Sequence, residues 1–252
     1  MSCRSTLSLP MHGATRLCWL IQRIAMWGLA RGSWLVVRSR LRLSVEGLEH
    51  IPRHGPVIIA ARHFHHFYDG CILLGVIPRR IHIFVALDWA KSQRTRYFME
   101  FICALAQWPV ILRSEQLKTN GHGSPYTAGE VRHYLGRAAS ESIHFLRREE
   151  VLVIFPEAYP TIDPVSITKP HDRAFLPFRP GFVKLAEHAE RKGQASVAIV
   201  PAGFTYTHDH GRWHVMLRFG PAYTLGSCTT TEQLVREVER SVHFLSTTPS
   251  SP

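Results

Sequence analysis

No acidic residue occurs between Met1 and Val45, whereas seven arginines do: Arg4, Arg16, Arg23, Arg31, Arg38, Arg40 and Arg42. This segment supplies seven of the chain's +11 net charges, so the basic character is mostly local. It suits polyanions such as anionic lipid, phosphorylated substrates or nucleic acid. Also missing is an uncharged apolar run of the roughly 18 residues that a membrane span needs, because Arg23 and Arg31 interrupt the apolar stretch Thr15–Val37. That argues against a simple span. A secretory signal is disfavoured too, since the arginines lie inside the apolar region and no small-residue cleavage site follows. The five cysteines (Cys3, Cys18, Cys71, Cys103, Cys228) are odd in number and far apart, which fits neither a disulfide framework nor a zinc ribbon. Reduced thiols in the cytoplasm are the simplest reading. Two further absences narrow the field: there is no internal repeat, and no Gly-x-Ser-x-Gly turn to carry a serine nucleophile.

What is present is an ordinary folding composition. With 252 residues, 45% hydrophobic and 19% charged, the chain can bury one large core and is not a disordered polymer. Arg16, Arg23, Arg31 and Arg38 recur at intervals of seven, eight and seven, which places them in one stripe of a helix that also carries three tryptophans. Such a helix lies well in the headgroup plane of an anionic membrane. The competing reading is an amphipathic helix packed on the domain. Residues 1–40 are therefore expected to form a basic, Trp-rich membrane-associating helix, 41–245 the folded domain, and 246–252 a disordered tail, too polar and proline-rich to fold.

Within the domain, Leu41–Val45, Pro56–Ala61, Ile81–Leu87, Val151–Phe155, Ser196–Pro201 and Trp213–Phe219 read as short apolar strands. Segments with helical spacing lie between or after them: Cys71–Val76, Arg94–Ala106, Glu130–Arg148, Gly181 to about Lys192, and a last helix capped at Thr230. Leu117–Glu130, before the third-named helix, and the stretch from Pro156 to Pro180 read as loops. For the helix over Glu130–Arg148, Val131, Leu135, Ala138, Ile143 and Phe145 are candidates for the buried side, and His208, His210 and His214 are placed on a hairpin surface. Alternation of strands and helices predicts one α/β domain with a mixed, largely parallel sheet flanked by helices.

The chemistry concentrates at Arg62-His63-Phe64-His65-His66-Phe67-Tyr68-Asp69, a strand-to-helix turn of the kind where α/β sheets place their sites. An imidazole beside a carboxylate makes an oriented general base, because the acid fixes the ring's tautomer and stabilises its charged form. The same cluster of His63, His65, His66 and Asp69 contains ligand types for zinc, so a metallo-hydrolase is a rival reading. A non-enzymatic binder of anionic lipid or nucleic acid is another, prompted by the charge, although it uses neither this turn nor the blocks described next.

Four blocks occur in order: His63 to Asp69, Val110-Ile111-Leu112-Arg113, Phe155-Pro156-Glu157 and Ala198-Ile199-Val200-Pro201. In these blocks, over about residues 40–225, the chain resembles the glycerolipid acyltransferases of the 1-acylglycerol-3-phosphate acyltransferase (PlsC-type) family. Phe178-Arg179-Pro180-Gly181 resembles the segment that follows the Phe-Pro-Glu block there. The resemblance implies a fatty acyl transfer from acyl-CoA or acyl carrier protein to a lysophospholipid hydroxyl, most simply 1-acylglycerol-3-phosphate. It implies no cofactor besides that donor, no metal and no nucleic-acid partner, and it favours the cytoplasmic face of an anionic membrane. His63 and Asp69 would be the base and its orienting acid, with His65 and His66 as substitutes. Arg113, Glu157, Phe155 and Pro156 would hold the acceptor, with Arg179 and Gly181 as further contacts.

Three departures stand out. Five residues separate His63 from Asp69 where the family has four, so matching from the strand selects His63 and matching from Asp69 selects His65 or His66. Ala158 replaces the family's usual Gly, and Tyr159-Pro160 replace polar residues.

Overall fold

The computed structural model describes residues 11–115, 125–162, 175–191, 195–209 and 211–247, with the backbone alone over 11–19. Among these residues eight strands form: β1 (Leu41–Glu46), β2 (Val57–Ala61), β3 (Ile81–Ile83), β4 (Val85–Ala86), β5 (Val110–Ile111), β6 (Val151–Ile154), β7 (Ala198–Asp209) and β8 (Arg212–Phe219). Six of them make one sheet in the order β1-β8-β7-β2-β6-β3. Every pairing in it is parallel except the β7–β8 hairpin, so the sheet is mixed and largely parallel, as expected.

Parallel central strands are covered on both faces, which is why they read as unbroken apolar runs. All five residues of β2 are buried. Their side chains alternate between two cores. Val57 and Ile59 join Val151, Val153 and Phe204 on one face, while Ile58 and Ala60 join Leu152 and Ile199 on the other. The first face is covered by α2 (Tyr68–Val76) and by α1 (Met11–Arg40) lying on α2. The second is covered by α5 (Gly181–Glu190) and α6 (Thr231–Thr247), with Leu146 from α4 (Ala128–Arg147). Each fully buried Leu, Ile or Phe in these layers contributes about 1.5–3 kcal/mol. β7 approaches the end of α6 so closely that a Cβ on Gly203 would stand 2.5 Å from the Leu245 carbonyl carbon. The contact fixes the strand that carries Tyr206.

Several local expectations need correction. Ile81–Leu87 is not one strand: β3 pairs with β6, whereas β4 leaves the main sheet to pair with β5. Leu135 faces outward at 57% exposure, because the buried stripe of α4 runs through Ala138, Ser142, Phe145 and Leu146. The last helix continues past Leu245 to Thr247, into the expected tail. The Leu117–Glu130 loop and the loop before Pro180 fall largely outside the described residues, as does His210. His208 is exposed on the β7–β8 hairpin, as expected.

α1 packs on the domain along one side and leaves another side exposed. Met26, Leu29, Ala30 and Val37 pack inward. Leu20, Ile24, Trp27, Trp34 and Leu35 stay exposed, on the same side as Arg31 and Arg38. No helix among the described residues is long and apolar enough to cross a membrane.

Candidate active site

β2 ends at Ala61, and the chain leaves the C-terminal edge of the sheet through His63 before entering α2 at Tyr68. The segment 63–66 is held by Thr161 and Ile162, whose backbone N–H groups donate to the His63 and Phe64 carbonyls, and His66 N donates back to the Ile162 carbonyl. The bridge ties this turn to the segment after Glu157, and Asp69, in the first turn of α2, turns back over 63–65. His63 Nδ1 stands 3.0 Å from Asp69 Oδ2. The same oxygen accepts from the Phe64 and His65 backbone N–H groups at 2.7 and 2.9 Å. Asp69 is fully buried, whereas the His63 side chain is 16% exposed and stacks on Phe155 with ring centroids 4.2 Å apart. With a carboxylate acceptor at Nδ1, that nitrogen carries the proton, and the lone pair sits on Nε2. Among the described residues none hydrogen-bonds His63 Nε2.

The other two histidines differ. His65 Nδ1 accepts from the Phe67 and Tyr68 backbone N–H groups at 3.3 Å each, so it caps the entry to α2. His66 is exposed and stacks on His65. Among the described residues no three His, Cys, Asp or Glu side chains are grouped to hold a metal ion.

The expected acceptor-binding residues are close by, but two of them face inward. Glu157 is buried, and its carboxylate accepts from His63 N at 3.3 Å and from Leu176 N at 3.1 Å. Burial pushes this carboxyl up, against those hydrogen bonds and the charges of Arg62 and His63. Glu157 thus clamps the backbones of His63 and Leu176, whereas Arg113 is held by Asp88. Arg113 itself is 4% exposed and forks onto Asp88, Nε to Oδ2 at 2.8 Å and Nη2 to Oδ1 at 2.6 Å, while Nη1 donates to the Ala158 carbonyl at 2.7 Å. Ala158 has φ of 65°, the left-handed region that favours glycine. This explains the glycine at this point of the family pattern. Pro156 is buried, and its carbonyl accepts from Arg179 N at 3.1 Å. The Arg179 side chain is exposed and pairs at 3.3 Å with exposed Glu115. Gly181 begins α5, which has no acidic residue in its first turn and no side-chain cap, and a Cβ there would meet nothing within 4 Å. Arg179 and Gly181 therefore form an open rim beside the Phe155 turn, with Glu115 as the acid against the Arg179 charge.

Three site residues escaped the sequence reading. Tyr206 Oη donates to Asp69 Oδ1 at 2.7 Å from β7. Asp88 holds Arg113, and its only signal was an acid ending an apolar run. Arg62 is buried with its guanidinium over the Phe175 and Phe64 rings. Burial lowers the Arg62 proton affinity, while Glu157 and Asp69 oppose this. Its charge therefore faces both acids of the site.

A family model described as Acyltransferase matches residues 42–205, a span that includes all four motif blocks. No curated protein matches the sequence closely enough to report. Among solved structures the chain is similar to the crystal structure of the 1-acyl-sn-glycerophosphate (LPA) acyltransferase PlsC from Thermotoga maritima. That match has 17% identity, covers 95% of this chain and 83% of that one, and has a TM-score of 0.49. Since the family model covers well over half of the 252 residues and carries the His63–Asp69 pair within it, the chain belongs to the acyltransferase family.

Proposed function

We propose that this acyltransferase moves a fatty acyl group from the thioester of acyl-CoA or acyl carrier protein to a lysophospholipid hydroxyl. The acceptor favoured is 1-acylglycerol-3-phosphate, giving phosphatidate. The observation that carries the reading is the unused Nε2 of His63 opposite an Nδ1 held by Asp69. The acceptor hydroxyl gives its proton to Nε2 as its oxygen attacks the thioester carbonyl. A C–O bond forms, the C–S bond breaks, and the leaving thiolate takes the proton from the imidazolium. Base catalysis of this kind contributes about 10²- to 10⁴-fold. The phosphate of the acceptor is assigned to Arg179 and the uncapped start of α5 at Gly181, where charge and backbone N–H groups are available. Arg113, Glu157, Phe155 and Pro156 shape that site from behind.

The reaction is assigned to an anionic membrane surface on its cytoplasmic side. Supporting this, exposed Trp27, Trp34, Ile24 and Leu35 share a side of α1 with Arg31 and Arg38. Gln107, just after α3 (Gln93–Ala106), donates to Gln22 of α1, and α3 exposes Tyr97, Phe98 and Phe101. The test is an acyl-transfer assay on anionic vesicles containing lysophosphatidate, with acyl-CoA and acyl carrier protein offered separately. Phosphatidate is the expected product. No product from either donor would overturn the reading. Removing Met1 to Arg38 is expected to weaken vesicle binding more than turnover of dispersed substrate, and unchanged binding would refute the anchor.

A further inference from the structure

Asp69 is oriented from two sides, and only one of them is local in sequence. Oδ2 is satisfied by His63, Phe64 and His65, all within six residues of it. Oδ1 accepts from Tyr206, 137 residues away, and both groups are buried. The Tyr206 ring is held flat against Phe64, with centroids 4.6 Å apart and planes 5° apart, and edge-on to Trp213. These contacts and its burial hold the ring with its hydroxyl on Asp69. Burial pushes the phenol well above its ordinary value and the Asp69 charge adds to this, so the hydroxyl remains a donor.

We propose that Tyr206 is a positioning residue for the transfer reaction: its hydroxyl locks the Asp69 carboxylate in the plane from which the acid holds His63 in the base-competent tautomer. The inference rests on the general-base reading given above. Tyr206 lies behind Asp69 as seen from His63, so it acts through the acid and not on the substrate. Without its hydroxyl, Oδ1 loses its donor, the carboxylate becomes more basic, and the positive imidazolium is favoured over the neutral base. Among the described residues, the other titratable or charged groups near this acid–base pair include Arg62, His65, Tyr68 and Cys71 around Asp69, and Glu157 beside His63. All are retained in a Tyr206→Phe variant.

The experiment compares wild type, Tyr206→Phe and His63→Ala in acyl transfer from acyl-CoA to lysophosphatidate across pH, with thermal unfolding measured alongside. Tyr206→Phe is expected to lower kcat about tenfold with the KM of both substrates unchanged. The acid limb of its kcat/KM profile should move about one pH unit upward. A purely structural role would lower the melting temperature without moving that limb. If His63→Ala abolishes transfer while Tyr206→Phe keeps the wild-type profile and kcat, the inference about Tyr206 is wrong and the base reading stands. Full activity in His63→Ala would instead overturn the base reading, and the Tyr206 role with it.

Discussion

Two acid–base pairs sit beyond the C-terminal ends of strands, Asp69 after β2 and Asp88 after β4, each with a fully buried aspartate, and they differ in what the base has left over. Arg113 directs hydrogen bonds to both oxygens of Asp88 and to the Ala158 carbonyl, and its guanidinium stacks on the Tyr159 ring. His63 uses one nitrogen on Asp69 and keeps the other. The first pair is closed and braces the turn after Phe155. The second is open on the side away from its acid, and openness is what a proton acceptor needs. Burial and charge alone would have ranked the two pairs as equals. The count of remaining hydrogen-bond positions separates them.

The contrast can be attacked most strongly through the closed pair. Asp88→Ala leaves the Arg113 guanidinium buried without its counter-charge, and should cost about 3–5 kcal/mol. Thermal unfolding would show this as a fall of roughly 10 °C, at about 2–4 °C per kcal/mol for a chain of this size. An unchanged melting temperature with a raised KM for the acceptor would make Arg113 a substrate contact instead. Next in size, Arg179→Ala should raise the acceptor KM about tenfold through loss of a charged phosphate contact. Its exposed bridge to Glu115 adds little stability, so unfolding should not shift.

A third ion pair, His82–Glu150, lies at the opposite edge of the sheet and serves as a control. Burial works to raise the Glu150 carboxyl, but the hydrogen bond to His82 and the charges of His82, Arg148 and Arg80 prevail and hold it low. A carboxyl depressed in the folded state adds stability above its unfolded value, and that stability is lost as pH falls through the folded one. Glu150→Gln should therefore flatten the acid side of the stability curve while leaving kcat at neutral pH intact. An unaltered acid branch would remove Glu150 from the account. The smallest effect expected is from Ala158→Gly, a gain of about 1 kcal/mol in chemical denaturation from relief of the left-handed backbone. A loss would mean that the Ala158 methyl packs usefully.

Much of the fold was legible because its cues are local. β2 and β6 are apolar on both faces, as doubly covered strands must be, and the stripe Leu234, Val235, Val238, Val242 announced the last helix. The break at Phe84 left no trace, since Ile81–Leu87 is apolar apart from His82 and only the choice of partner, β6 or β5, divides it. At the site, three histidines within four positions could not be ranked by spacing. The ranking came from three dimensions: Asp69 faces His63, the backbone of α2 takes His65, and His66 points outward. Tyr206 and Asp88 were invisible for a similar reason, being joined to their partners across 137 and 25 residues. The resemblance to acyltransferases brought Arg113 and Glu157 to notice as acceptor contacts, whereas their inward hydrogen bonds could be read only from the folded chain.

The central claim is that His63, among the three histidines, takes the proton. Single-turnover acyl transfer by His63→Ala, His65→Ala and His66→Ala, each checked for unchanged secondary structure and melting temperature, tests it most directly. The account predicts a rate lower by about 10²- to 10⁴-fold for His63→Ala alone, with His66→Ala near wild type and His65→Ala losing stability before rate. A folded His63→Ala enzyme with near-normal turnover, beside a dead His65→Ala or His66→Ala, would contradict it.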